Sequence, residues 1–168
     1  MLSLRPSPDA APVLVLVLAI GNPSRGDDAL GPLAAQRLVE LALPGVEVLT
    51  DFQLQVEHAL DLLGRSFVVF VDAAADGTSP FEMRPLLPAA DVRHSSHSLS
   101  PSAVLDAYRQ LTGNEPPPSR LLAIRGNEFE LGAPLGDAAA ANLEAALAAL
   151  TQDLRVAMAQ VRREPLPA

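Results

Sequence analysis

The sequence contains no cysteine, and this absence excludes several kinds of site. Disulfide frameworks, thiolate zinc sites, iron–sulfur clusters and cysteine nucleophiles all need that side chain. Any metal held by this chain must therefore be bound through oxygen atoms and imidazole nitrogens. Basic residues are also scarce, with 12 Lys and Arg against 20 Asp and Glu and a formal net charge of −8. Such a protein repels phosphate backbones and anionic lipid, so we expect neither nucleic acid nor a membrane as a partner.

Long hydrophobic runs are missing as well. The most apolar stretch, residues 12–20, is nine residues long, which is too short to span a bilayer. It is preceded by Asp9 and followed by Gly-Asn-Pro at residues 21–23, without the small-x-small pattern of a signal-peptide cleavage site. We therefore predict a cytoplasmic protein.

The length and composition are typical of one globular unit. The chain has 168 residues, of which 49% are hydrophobic and 19% charged, a balance far from that of disordered proteins. We predict a single domain over residues 1–168 with its core at about 12–163, flexible termini at 1–11 and 164–168, and a monomer.

Apolar and β-branched runs alternate with helical patterns along the chain. The runs predict five strands, at residues 13–19, 46–50, 67–71, 81–87 and 121–124. Helical spacing predicts four helices, from Asp28 to about 41, at 55–63, from 101 to about 111, and from about 137 to 162. The fourth strand is flanked by Pro80 and Pro88, which places it at a sheet edge. The expected fold is α/β, a three-layer α/β/α sandwich with a mostly parallel five-stranded sheet.

Polar side chains follow the strands at the carboxyl edge of this sheet, where ligands bind in such folds. Asp28 follows the first strand, Asp72 ends the third, and His97 lies in the loop after the fourth. Two carboxylates and an imidazole suit a borderline divalent ion such as nickel or zinc. Ordinary structural roles remain open: an aspartate can cap a helix or satisfy loop amides, and His94 or His97 can be a surface residue.

Three motifs in order resemble the hydrogenase maturation endopeptidases. The first is Ala-Ile-Gly-Asn at residues 19–22, followed by Gly-Asp-Asp at 26–28 and a glycine at 31. The second is Phe-Val-Asp-Ala at 70–73, and the third is His-Ser-Leu-Ser-Pro at 97–101, followed by an aliphatic helix. The resemblance covers roughly residues 12–150. It implies a protease that removes the C-terminal extension of a nickel–iron hydrogenase large subunit precursor after nickel insertion.

The resemblance also implies roles for individual residues. Asp28 and Asp72 take the positions of the two acidic metal ligands, and His97 takes that of the histidine ligand. His97 is preferred to His94 because it stands directly before the sequence that opens the helix, and Asp27 is interpreted as a helix cap. The nickel is expected in the substrate's metal centre, so tight binding by the free enzyme is not implied, and no catalytic nucleophile or other cofactor is assigned.

One segment departs from the family pattern, and a second is a further candidate for contact with the substrate. Residues 50–53 read Thr-Asp-Phe-Gln where many relatives have a turn like Asp-Gly-Gly-Thr, which leaves substrate contacts there in doubt. Residues 125–130, after the fifth strand, lie on the same edge and are predicted from position to touch the substrate.

Three other functions compete with the protease. A dinucleotide-binding module is disfavoured because Gly-x-Gly-x-x-Gly is absent and adjacent aspartates would repel a pyrophosphate. A serine hydrolase is disfavoured because no Gly-x-Ser-x-Gly elbow exists. A nickel-binding chaperone that does not cleave would use the same ligands, so the sequence leaves it open.

Overall fold

The sheet holds five strands in a computed structural model that describes residues 14–91 and 98–163. The strands are β1 (Val15–Ile20), β2 (Val46–Asp51), β3 (Phe67–Ala74), β4 (Phe81–Leu86) and β5 (Ser119–Arg125), and their order is β2-β1-β3-β5-β4. All neighbours are parallel except β4, which runs antiparallel to β5 at the edge. The mostly parallel sheet and the edge position of the fourth strand are confirmed.

Helices cover both faces of the sheet. They are α1 (Leu30–Leu41), α2 (His58–Asp61), α3 (Pro101–Thr112) and α4 (Asp137–Val161), with a 3₁₀ turn at Gly26–Ala29 before α1. The strand β1 is wholly buried, and its alternating side chains enter two separate cores. Val15, Val17 and Ala19 pack with α1 and α4, whereas the intervening residues pack with α2 and α3. The α/β/α sandwich is therefore confirmed.

The helix boundaries follow local signals. The Ser100 hydroxyl accepts the N–H of Ala103 at 3.1 Å, Pro101 occupies the first turn of α3, and Gly113 ends this helix with φ +71°. Helix α1 ends with Ala42 in the left-handed region, at φ +46°. Only one turn of α2 is α-helical, and hydrogen-bonded turns flank it, so it is shorter than the 55–63 helix predicted from the sequence.

Because β1, β2, β3 and β5 are parallel, their carboxyl ends lie at one edge of the sheet. At this carboxyl edge the loops from β1 to α1 and from β5 to α4 meet. Leu99, just before α3, donates its N–H to the Leu54 carbonyl at 3.0 Å. None of the helices in the described residues is both long and apolar enough to cross a bilayer. The predicted flexible termini lie outside the described residues, and the single-domain and monomer predictions stay predictions.

Candidate active site

The loop after β1 folds back so that Asp28 faces the end of that strand. The N–H of Gly21 donates to the Asp51 carbonyl at 3.1 Å, and the next N–H, that of Asn22, donates to Asp28 Oδ2 at 2.7 Å. Asp28 is half-buried. Its carboxylate is therefore fixed over the carboxyl end of β1 by a backbone hydrogen bond rather than projecting freely into solvent.

Asp72 lies next to this loop, on β3. The strand continues through Ala74, beyond the end predicted at Asp72, because β5 pairs with Asp72 through Ala74. Burial raises the pKa of Asp72 from 3.8 to about 7; the N–H of Ala73, which donates to Oδ1 at 2.8 Å, lowers it, and the charge of Asp28 raises it. The structure thus brings the two predicted acids close enough for their charges to repel.

This pair of carboxylates has the chemistry of a cation site. A cation between Asp28 and Asp72 would offset their repulsion, and carboxylate oxygens are suitable ligands for divalent ions. Within residues 14–91 and 98–163, no three His, Asp or Glu side chains converge to form a complete metal site. The predicted third ligand, His97, lies outside the described residues, as does His94. The three-residue ligand set therefore stays a prediction, and the positions of Asp28 and Asp72 are compatible with it.

Asp27 does not cap its own helix, so that interpretation was wrong. Its side chain is 1% exposed and reaches the loop after β5, where Oδ2 accepts the N–H groups of Asn127 at 2.7 Å and Glu128 at 3.0 Å. Oδ1 accepts the N–H of Gly136, the residue just before α4, at 2.8 Å. Burial raises the pKa of Asp27, but these three backbone hydrogen bonds hold it below its ordinary 3.8.

The glycines of the first motif allow close packing of the chain on itself. A Cβ on Gly21, which has φ +151°, would lie 2.0 Å from the Asp28 carbonyl oxygen, and one on Gly31 would lie 2.0 Å from that of Ile20. In a dinucleotide site such space is used by the pyrophosphate. Here the protein backbone fills it, which argues against the nucleotide-binding alternative.

His58 was missed by the sequence reasoning although it lies at the same edge. Its Nδ1 accepts the N–H of Gln55 at 2.9 Å, and its Nε2 lies 3.3 Å from Asp51 Oδ2. Both ring nitrogens are engaged, so this imidazole has no lone pair left for a metal. The pair joins the end of β2 to the start of α2 and so stabilises the segment between them.

Solved structures of hydrogenase maturation proteases resemble this chain over most of its length. The endopeptidase HybD from E. coli superimposes with a TM-score of 0.68 at 24% sequence identity, covering 84% of this chain and 92% of that one. The [NiFe] hydrogenase maturation protease HycI from Thermococcus kodakarensis gives 0.61 at 25% identity, covering 85% and 93%. The hydrogenase 2 maturation peptidase from a Thaumarchaeota archaeon gives 0.60 at 20% identity, covering 84% and 97%.

No protein-family model and no curated protein sequence matches the chain. The structural likeness nevertheless agrees with the first two motifs, which the fold brings to one edge of the sheet, and with Leu99–Pro101 of the third, which lead into α3. The resemblance seen in the sequence is confirmed at the level of architecture: this chain has the fold of the hydrogenase maturation endopeptidases.

Proposed function

We propose that this protein is an endopeptidase that removes the C-terminal extension of a nickel–iron hydrogenase large subunit precursor after nickel has been inserted. The observation that carries the proposal is the convergence of Asp28 and Asp72 at the carboxyl edge of a sheet with the fold of such proteases. His97 would be the third residue that contacts the substrate's nickel. The proposal includes the cytoplasmic location predicted from the short apolar run at residues 12–20.

The two acids give a physical reason for selecting the loaded precursor. Without a cation, bringing Asp28 and Asp72 together costs free energy, because burial and mutual repulsion both oppose ionisation of Asp72. A precursor that presents a nickel ion offsets this cost, whereas an empty precursor does not. Discrimination then arises from a repulsion that only the correct substrate removes.

The alternative is a nickel-binding chaperone that uses the same residues without cleavage. It would bind the loaded precursor through the same acids and leave its length unchanged. Mixing the purified protein with nickel-loaded and nickel-free precursor and measuring their masses separates the two functions. We expect only the loaded precursor to lose a C-terminal peptide.

Histidine variants test the ligand assignment in the same assay. His97→Ala should lower the cleavage rate by roughly 100-fold or more, because a lost ligand weakens contact with the substrate's nickel. The matched control is His94→Ala, which removes the neighbouring histidine and should leave the rate within about threefold of wild type.

Each departure from these results has a distinct meaning. A precursor that binds but keeps its length supports the chaperone. Equal cleavage of both precursors contradicts selection by nickel, and loss of activity in the His94 variant alone contradicts the choice of His97.

A further inference from the structure

The Asp27 carboxylate belongs to a wider set of bonds that joins two loops of the carboxyl edge. The N–H of Asp27 donates to the Glu128 carbonyl at 2.7 Å. Asp27 therefore binds the backbone of Glu128 through both its own backbone and its side chain. The N–H of Gly26 donates to the Ala133 carbonyl at 3.1 Å, and the N–H of Gly132 to that of Ser24 at 2.8 Å. The loop 126–136, which we call the β5–α4 loop, is therefore bonded along its length to the loop that carries Asp28.

Two glycines allow this close approach. A Cβ on Gly26, at φ +53°, would lie 2.4 Å from the Glu128 carbonyl oxygen. One on Gly126 would lie 2.6 Å from the Cβ of Asp27, while the N–H of Gly126 donates to the Ala74 carbonyl at the end of β3. The β5–α4 loop is thus held on two sides, by β3 and by the β1–α1 loop. No Arg or His nitrogen lies within ion-pair distance of Asp27 in the described ranges, so backbone N–H groups alone compensate its charge.

A loop held this firmly presents its outward side chains in a defined position. Asn127, Glu128, Glu130 and Leu131 are exposed, and Leu131 is 74% exposed to solvent. Binding residues are often found on loops held by a rigid scaffold, and an apolar side chain there can contact a substrate without first being ordered. The adjacent Gly132 donates its N–H to the Ser24 carbonyl at 2.8 Å, so Leu131 lies beside the loop that carries Asp28.

We propose that Asp27 is a positioning residue that holds the β5–α4 loop as one wall of the substrate site, and that Leu131 on this wall contacts an apolar side chain of the precursor tail. This inference rests on the proposed function and adds a specificity element to it. Asp27 touches neither substrate nor metal. It acts through the loop, and its effect should appear in substrate binding more than in the chemical step.

The contact is tested by Leu131→Ser against Leu87→Ser. Both leucines are largely exposed, at 74% and 79%, so neither change removes core packing. Leu87 follows β4, whose end pairs with the start of β5, and it therefore lies at the opposite edge of the sheet. With nickel-loaded precursor we expect Leu131→Ser to raise KM by about tenfold with kcat within about twofold, and Leu87→Ser to change neither.

The positioning role is tested by hydrogen exchange of Asp27→Asn, a variant of nearly equal size. The asparagine amide offers one acceptor oxygen where the carboxylate offers two, so at least one of the three N–H groups loses its partner. We expect amide exchange at Asn127, Glu128 or Gly136 to rise by about tenfold or more while β1 amides keep their protection. The KM for the loaded precursor should rise more than kcat falls.

These outcomes distinguish the substrate contact of Leu131 from the positioning role of Asp27. Leu131→Ser behaving like Leu87→Ser would overturn the substrate contact, and unchanged exchange in Asp27→Asn would overturn the positioning role. If the wild-type protein shortens no precursor, the proposed function and the Leu131 contact both fail, and the exchange data alone decide the role of Asp27.

Discussion

Asp72→Asn is expected to stabilise the metal-free protein at pH 8 while abolishing cleavage. Burial and the charge of Asp28 raise the pKa of Asp72 to about 7, so ionising this carboxyl in the folded state is unfavourable. Asparagine keeps the shape and can still accept the Ala73 N–H, without the charge. We expect the free energy of unfolding at pH 8 to rise by about 2–4 kcal/mol.

The gain should depend on pH in a defined direction. Below the ordinary pKa of 3.8 the carboxyl is protonated in both folded and unfolded chains, so wild type and variant should be equally stable. Between that value and about 7 only the unfolded chain releases the proton, and wild-type stability falls relative to the variant. Urea unfolding in EDTA at pH 4, 6 and 8 measures this difference.

Asp76→Asn is the matched control, because this aspartate lies shortly after β3 and is exposed. Its unfolding free energy should follow wild type at every pH. A variant Asp72→Asn that is less stable than wild type at pH 8 would contradict the account of Asp72 as a destabilising charge. Full cleavage activity in that variant would contradict its role toward the substrate.

Gly31→Ala should cause a large loss of stability, although it adds only one methyl group to this edge. Alanine in a helix is normally more favourable than glycine by about 1 kcal/mol. At this position the new Cβ would lie 2.0 Å from the Ile20 carbonyl oxygen and 2.9 Å from its carbon, both backbone atoms that no side-chain rotation can move. Helix α1 would have to shift away from β1, and we expect a loss of about 3 kcal/mol or more.

Thermal or urea unfolding measures this loss, and Gln36→Ala provides the control. Gln36 is exposed on the same helix, so its replacement should change stability by less than about 0.5 kcal/mol. Because α1 begins two residues after Asp28, the shifted helix should also lower cleavage of the loaded precursor. Wild-type stability for Gly31→Ala would show that α1 and β1 are farther apart than the structure has them.

Much of the fold could be predicted because its central strands are apolar on both faces. β1 and β3 are buried between two helical layers, and this environment requires continuous runs of Val, Leu and Phe that are easily recognised. The prolines around β4 likewise indicate an edge. The end of β3 was placed too early, because Asp72 interrupts the apolar pattern while backbone pairing with β5 continues.

The candidate site was predicted only in part, and Asp27 shows why. Local signals favoured a helix cap, since an aspartate before a helix usually accepts the first free N–H groups. Its actual partners are N–H groups 100, 101 and 109 residues further along the chain, and no local sequence pattern predicts such distant donors. Asp28 and Asp72 were found because the carboxyl ends of parallel strands meet at one edge.

The strand order determines when, during synthesis, the sheet and the site at its carboxyl edge can be completed. β4 emerges from the ribosome before β5, yet β5 lies between β3 and β4, so β4 has no strand to pair with until its successor is made. Asp27 is also synthesised early, and its hydrogen bond from the N–H of Gly136 cannot form until that residue has been made. A nascent chain that ends before residue 136 already contains both Asp28 and Asp72, but it lacks the segment that completes the edge around them.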